Sequence, residues 1–338
     1  MDIIDILRGL LAPQEWAELL NKYKKRKPVP MRIRNKVFGQ AIFYPSVRIP
    51  WSVLKETLSN IPVVRRGTKA YQLGGDDIET QAIEPQGFST VSYISAAELN
   101  NMKALGLQNI QKFFDMLQFG VMRKIEFSTE ALCAQSLTGK ISYPMKTAEG
   151  ALETFDVDYG ETLRHNFATS LNAADATIEM VYTALQEMDE AIQAKGYGIN
   201  VETLCGKTLF ARIVTLAGDK KSNVLDVKVS KGQVSVGGYI INLENGSYET
   251  MAGGVKTRVQ TVDDDKMVMV DLDAGHNLYY AALDDLDAGL QALPFFSKVK
   301  KVDDPSGADV YTMSKPLPAV VVDAICWADN ALAPAPAA

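Results

Sequence analysis

Between Asn109 and Thr138 the apolar residues Ile110, Phe113, Phe114, Leu117, Val121, Ile125 and Leu132 recur at steps of three and four, the mark of one helical face. The spacing predicts a single helix over the whole stretch, about 45 Å long at about 1.5 Å per residue. Gly120 is its weak point, costing roughly 1 kcal/mol against Ala in a helix interior. Gly139 stands where a left-handed residue would end it. Helices average about 11 to 12 residues. A compact globule rarely needs a rod of this length, whereas a subunit that braces a broad, thin wall does.

The 338 residues suffice for about two domains and a substantial core. With 47% hydrophobic and 22% charged residues, the chain reads as folded rather than disordered. No run approaches the roughly 18 apolar residues of a membrane span. The opening MDIIDILRGLLAPQEW has early acids and no basic n-region, so it reads as a short amphipathic helix and not as a secretory signal. Cys133, Cys205 and Cys326 lack any C-x-x-C spacing and read as buried, reduced thiols.

A net charge of −6 excludes a protein that grips nucleic acid over its whole surface. The charge is unevenly spread, however. Between Leu19 and Lys55 no Asp or Glu occurs, while Lys22, Lys24, Lys25, Arg26, Lys27, Arg32, Arg34, Lys36, Arg48 and Lys55 do. With Pro28 and Pro30 favouring extended backbone, residues 1–50 read as an arm. Such an arm reaches across a neighbour, faces packaged DNA, or is simply a solvated basic surface.

Residues 61–94 alternate β-formers with polar residues and are punctuated by Gly67, Gly74, Gly75, Pro85 and Gly87. That pattern predicts a two-armed β-ribbon bending near Gly74-Gly75. An isolated ribbon is marginal in water and needs another surface to lie on. Ser95 with Glu98 forms a capping-box pattern for a short helix that Gly106 interrupts. After Gly139 a hairpin is expected about Ala148-Glu149-Gly150, and a second amphipathic helix over Asn172–Lys195 stopped by Gly196. A strand, a turn at Gly206 and a third helix follow. Asn245-Gly246 signals a hairpin, Ala274-Gly275 a turn, and Pro316 and Pro318 divide the last two strands. The ending ALAPAPAA is low in complexity. The mixed order of elements makes the class α+β.

Chemistry is scarce. His165 and His276 have no metal-ligand spacing around them. Neither a phosphate-loop nor a nucleophile-elbow motif occurs. Asp271-x-Asp273-x-Gly275 starts like a calcium loop, but Gly275 and Ala282 occupy two ligand positions, leaving a turn. The acids Asp263 to Asp265 and Asp284, Asp285 and Asp287 read as a solvated rim. No catalytic residue, cofactor site or metal site is assigned, and the chain reads as no enzyme.

Three segments carry a resemblance: LTGKISYPMKTAEGALETFDVDYG, VSVGGYIINLENGSYE and YTMSKPLPAVVVDAICWADNAL. Their order and character resemble the major capsid proteins of tailed bacteriophages, which share the Hong Kong 97-type fold, and within them the phage lambda major head protein (capsid protein E) group. VVRRGTKAYQLGGDDIETQAIEP is similar to that group's extension loop. The resemblance implies an N-terminal arm at 1–50 and an extension loop at 51–95. It further implies a peripheral domain at 96–158 and 303–330, an axial domain at 159–302 and a flexible tail at 331–338. Lys22, Lys24, Lys25, Arg26, Lys27, Arg32 and Arg34 would then face a neighbour or DNA. Arg65, Arg66, Lys69, Tyr71, Gly74 and Gly75 would lie on the loop that crosses an adjacent subunit.

The implied partners are copies of the chain, as hexamers and pentamers of an icosahedral shell, together with a portal, a separate scaffold protein and packaged double-stranded DNA. A decoration protein is a further partner that the resemblance leaves open. The place is the virion, and the host cytoplasm during assembly, without a membrane. Some relatives cross-link through a lysine; Lys69 is the sole Lys between Lys55 and Lys103, and no catalytic partner for it is visible. Two other readings stand beside this one: an α+β enzyme with residues 61–94 as a lid, and an encapsulin-type compartment.

Overall fold

The structure, a computed structural model, describes residues 3–26, 29–54, 82–219, 225–252 and 255–332. Its helices are α1 (Ile3–Gly9), α2 (Pro13–Lys24), α3 (Arg32–Val37), α4 (Trp51–Leu54), α5 (Ala96–Leu105), α6 (Leu107–Ser136), α7 (Ile178–Gln193) and α8 (Lys207–Gly218). The 30-residue α6 is the expected long helix. Ser95 caps α5 through the predicted reciprocal bonds with Glu98. Gly106, at φ +89°, then turns the chain from α5 into α6. Beyond α6, Gly139 has φ +83°, and a Cβ there would collide with the Gly160 carbonyl oxygen 2.2 Å away. Glycine therefore both ends the helix and allows the next strand to pass.

α6 joins two cores. Ile110, Phe114, Met122 and Ile125 pack with Ile4, Leu7 and Leu19 of the arm and with Ile94, Val299 and Val310. Farther along, Leu132, Cys133 and Leu137 meet Ile33, Val37, Ile141, Leu278, Leu317 and Trp327. Each such large side chain contributes about 1.5–3 kcal/mol when fully buried. Within the first core sits a polar contact: buried Gln118 Oε1 accepts from Ser297 Oγ (3.0 Å) and Thr312 Oγ1 (3.1 Å).

Three antiparallel strands, Phe296–Val302, Gly307–Ser314 and Phe88–Ser95, form the sheet against the first half of α6. A seven-stranded mixed sheet runs in the order Leu163–Asn166, Ile325–Asp329, Met267–Asp271, Val201–Cys205, Tyr239–Leu243, Gln233–Val236 and Val227–Ser230. Met267–Asp271 is buried along its whole length, as a central strand covered on both faces must be. Met267 and Met269 point toward a third core containing residues of α7 and α8, while Val268 and Val270 point toward the core at the end of α6.

Several expectations need correction. α7 begins at Ile178 rather than Asn172. Ahead of it, the Arg212 guanidinium donates to the carbonyls of Leu171 (2.6 Å) and Ala173 (3.4 Å), so tertiary bonds override the helical spacing. The hairpin turn falls at Gly237-Gly238, whose φ values of +56° and +98° suit a two-residue turn, and not at Asn245-Gly246. Asn245-Gly246 instead links the seven-stranded sheet to a separate hairpin, Ser247–Ala252 with Val255–Gln260. Residues 88–94, expected in the ribbon, belong to the three-stranded sheet. Strand Ile325–Asp329, expected with the peripheral part, lies inside the seven-stranded sheet, and Phe296–Val302 lies outside it.

Candidate assembly surfaces

The basic arm does not hang free. α2 and α3 lie on α6 of the same chain, held by three acids on that helix. Lys22 Nζ pairs with Asp115 at 4.0 Å. Tyr23 donates its hydroxyl to Glu126 at 2.5 Å. Glu130, 9% exposed, accepts the backbone N–H groups of Ile33 (2.7 Å) and Arg34 (3.0 Å), capping α3 from outside. Burial pushes the carboxyls of Glu126 and Glu130 above their usual range, and the donors and nearby cations offset that in part. Burial likewise raises the Tyr23 phenol. The Arg26 guanidinium sits 4.3 Å from the Phe119 ring centre, a cation–π contact. Arg32 lies 3.9 Å from buried Glu244, and Lys36 pairs with Glu202.

Several of the arm's cations thus engage partners in the same chain, although Lys22, Arg26 and Arg32 remain exposed, as do Lys24 and Lys25. Lys27 lies outside the described residues, as do Arg65, Arg66, Lys69, Tyr71, Gly74 and Gly75 of the expected loop. At the root of that loop, Ile49 pairs with Ile83 and Pro50 with Ala82, and Arg48 bonds Glu84 at 3.1 Å. The acids that receive the arm, Glu126 and Glu130, were not picked out from sequence. Their spacing of four was the available signal, since it places two carboxylates on one helical face.

The hairpin Lys140–Lys146 with Leu152–Asp158 is anchored by buried Ile141 and Val157. Toward the tip Lys146, Leu152, Glu153 and Thr154 are exposed, Leu152 by 47%. The three-stranded sheet also presents apolar residues outward, with Val91 56% and Tyr93 43% exposed. Isolated exposed apolar residues are normal; on rigid strands they mark contact surfaces when they cluster.

The remaining polar features are structural. Asp271 accepts the N–H groups of Gly198, Ile199, Asn200 and Asp273 at 2.7–3.1 Å. Burial pushes its carboxyl up, but those four donors outweigh it and hold it below the usual range. The calcium-like start is therefore a turn. His276 is buried against Phe38, and its Nδ1 accepts the Val321 N–H at 3.1 Å. His165 faces Glu187 at 3.4 Å beside a cavity of about 270 Å³, and burial lowers its pKa. A further cavity of about 370 Å³ is lined by Phe88, Leu132, Tyr143, Met145 and Phe155, without an acid. Among the described residues no group of three or more His, Cys, Asp or Glu is placed to hold a metal, and no helix is long and apolar enough to cross a membrane. The three cysteines are free and buried.

The family model for phage major capsid protein E matches residues 15–330. The chain belongs to that family. A putative capsid protein of a prophage of E. coli CFT073 shares the fold, at 16% identity over 93% of this chain and 97% of that one, with a TM-score of 0.58. More distant are a phage-related protein from Bordetella bronchiseptica RB50 (10% identity, 95% and 98% covered, TM-score 0.44) and the capsid of cyanophage P-SCSP1u (14%, 86% and 83%, 0.40). No curated protein sequence matches the chain. As a phage major capsid protein with the Hong Kong 97-type fold, it is a structural subunit of the capsid shell and part of the virion.

Proposed function

We propose that this capsid protein assembles as pentamers and hexamers into an icosahedral shell around double-stranded DNA, with a separate scaffold protein and a portal as partners and without enzymatic activity. The observation that carries the reading is the hairpin Lys140–Asp158. Its root is packed into the chain's own core, while residues toward its tip, Leu152 among them, are exposed. Two strands alone are marginal in water, so the tip is completed by another subunit. The segment 55–81, outside the described residues, is assigned the role of clasp across a neighbour, and exposed Lys24 and Lys25 are assigned to meet a neighbour or DNA. Hundreds of repeated weak contacts then sum into a stiff container.

Negative-stain microscopy of the purified chain, alone and with co-expressed scaffold, tests this. Closed shells are expected. Deleting Thr68 to Ala82 leaves a soluble chain, folded by circular dichroism, that builds none. A chain that stays a discrete monomer under every such condition overturns the reading.

A further inference from the structure

The face of α6 that carries Lys112, Met116 and Lys124 is open among the described residues, while Phe127 at its end borders a cavity with Arg32, Glu130, Tyr248 and Arg258, and the chemistry of the helix is sharply sorted. The helix carries three acids, Asp115, Glu126 and Glu130, and each is engaged by the arm. Its three cations, Lys112, Arg123 and Lys124, are all exposed. With them on the outside are Phe113 (36% exposed), Met116 (66%) and Phe127 (38%). At about 100° per residue these side chains fall within an arc of about 120°. A helix that turns its acids toward the arm and its cations outward, beside two aromatics each left over a third exposed, is not an ordinary solvated surface.

The spacing narrows the partner further. Phe113, Met116, Gly120, Arg123 and Phe127 follow one another at steps of three, four, three and four, the seam that a second helix fills. Lys112 and Lys124 stand beside the seam, where flanking charges choose a partner's sign. Gly120 sits at its middle. A Cβ there would meet no atom of the described residues within 4 Å, so the packing they show does not require glycine at that point. Its helix-weakening presence is accounted for by a partner backbone that comes close.

We infer that the outer face of α6 between Lys112 and Phe127 is a docking groove for an acidic amphipathic helix of another protein. The helix lays apolar residues over Phe113, Met116 and Phe127, crosses at Gly120, and sets carboxylates against Lys112, Arg123 and Lys124. The stretch is about 22 Å long at about 1.5 Å per residue, matching three turns or more of a partner helix. Duplex DNA satisfies the cations but leaves the aromatic residues in water, which favours the helix as occupant.

The test uses the full-length, unassembled chain and a three-heptad peptide with Leu on its seam and Glu on its flanks, followed by fluorescence anisotropy. Binding is expected that weakens with added salt and falls at least tenfold in Arg123→Glu/Lys124→Glu. The same peptide with Lys flanks is expected not to bind. Gly120→Ala gives the sharper discrimination: it raises the melting temperature of the chain alone yet weakens peptide binding at least tenfold. Three results overturn the inference: no binding of the acidic peptide, equal binding to Gly120→Ala, or tighter binding of a short DNA duplex or of a peptide copying residues 64–80. Shell formation is scored separately by microscopy, so failure here is distinct from failure of the capsid reading.

Discussion

Replacing Glu130 by Ala should loosen the arm without unfolding the rest. Glu130 supplies both acceptors for the first turn of α3, through Ile33 and Arg34. Loss of a helix cap costs about 1 kcal/mol. Leaving a second half-buried N–H without a partner adds about 1 kcal/mol or more. Removing a carboxylate that burial has desolvated returns part of this, so a net cost of about 2 kcal/mol is expected. Glu130→Gln keeps one acceptor and should cost about half as much. The assays are thermal unfolding and limited trypsin digestion at the lysines and arginines of residues 22–26, where Glu130→Ala is expected to be cut faster. The pH dependence has a definite sign. The folded-state pKa of Glu130 is raised, so the folded protein binds the proton more readily than the unfolded chain. Its ionisation penalty is present above that pKa and disappears as pH falls toward the ordinary 4.5. Wild type should therefore gain on Glu130→Gln as pH is lowered over that range. Equal melting temperatures and equal cleavage for wild type and Glu130→Ala would refute the arm's dependence on this residue.

Gly139→Ala should cost more than about 3 kcal/mol, since a left-handed residue and a backbone collision combine, and should leave little soluble protein on expression. Phe114→Ala, at a fully buried site, should lower stability by about 3–5 kcal/mol in denaturant titration while m stays constant. His276 is pushed down to about 4 by burial against its ordinary 6.5, with the neighbouring Asp271 opposing in part. Its contribution is intact above 6.5 and is lost as pH falls toward about 4, for a loss of about 3 kcal/mol. Histidine C2 hydrogen exchange followed by mass spectrometry should show His276 titrating well below 6.5, and a midpoint near 6.5 would contradict its sequestration.

What could be read from the chain alone was whatever is encoded locally. α6, the capping box at Ser95, the stop at Gly139 and the hairpin around Gly150 all follow from spacing and glycine placement within a few residues. What escaped was long-range. Glu130 meets Ile33 across 97 residues, and no local pattern pairs them. The basic run looked free because its acids sit on a helix far along the chain. The start of α7 was misplaced because Arg212, some 40 residues on, claims the carbonyls ahead of it. Gly237-Gly238 lost out to Asn245-Gly246 because both are good turns, and strand pairing decided between them.

The position of Ile325–Asp329 carries a consequence for timing. This strand is wedged between Leu163–Asn166 and Met267–Asp271, so the first has no strand partner, and the second only Val201–Cys205, until synthesis has run through Asp329. A growing polypeptide still attached to its ribosome holds an open sheet and cannot present a finished contact face. A chain cut before Ile325 is therefore expected to leave the Leu163–Asn166 strand unpaired.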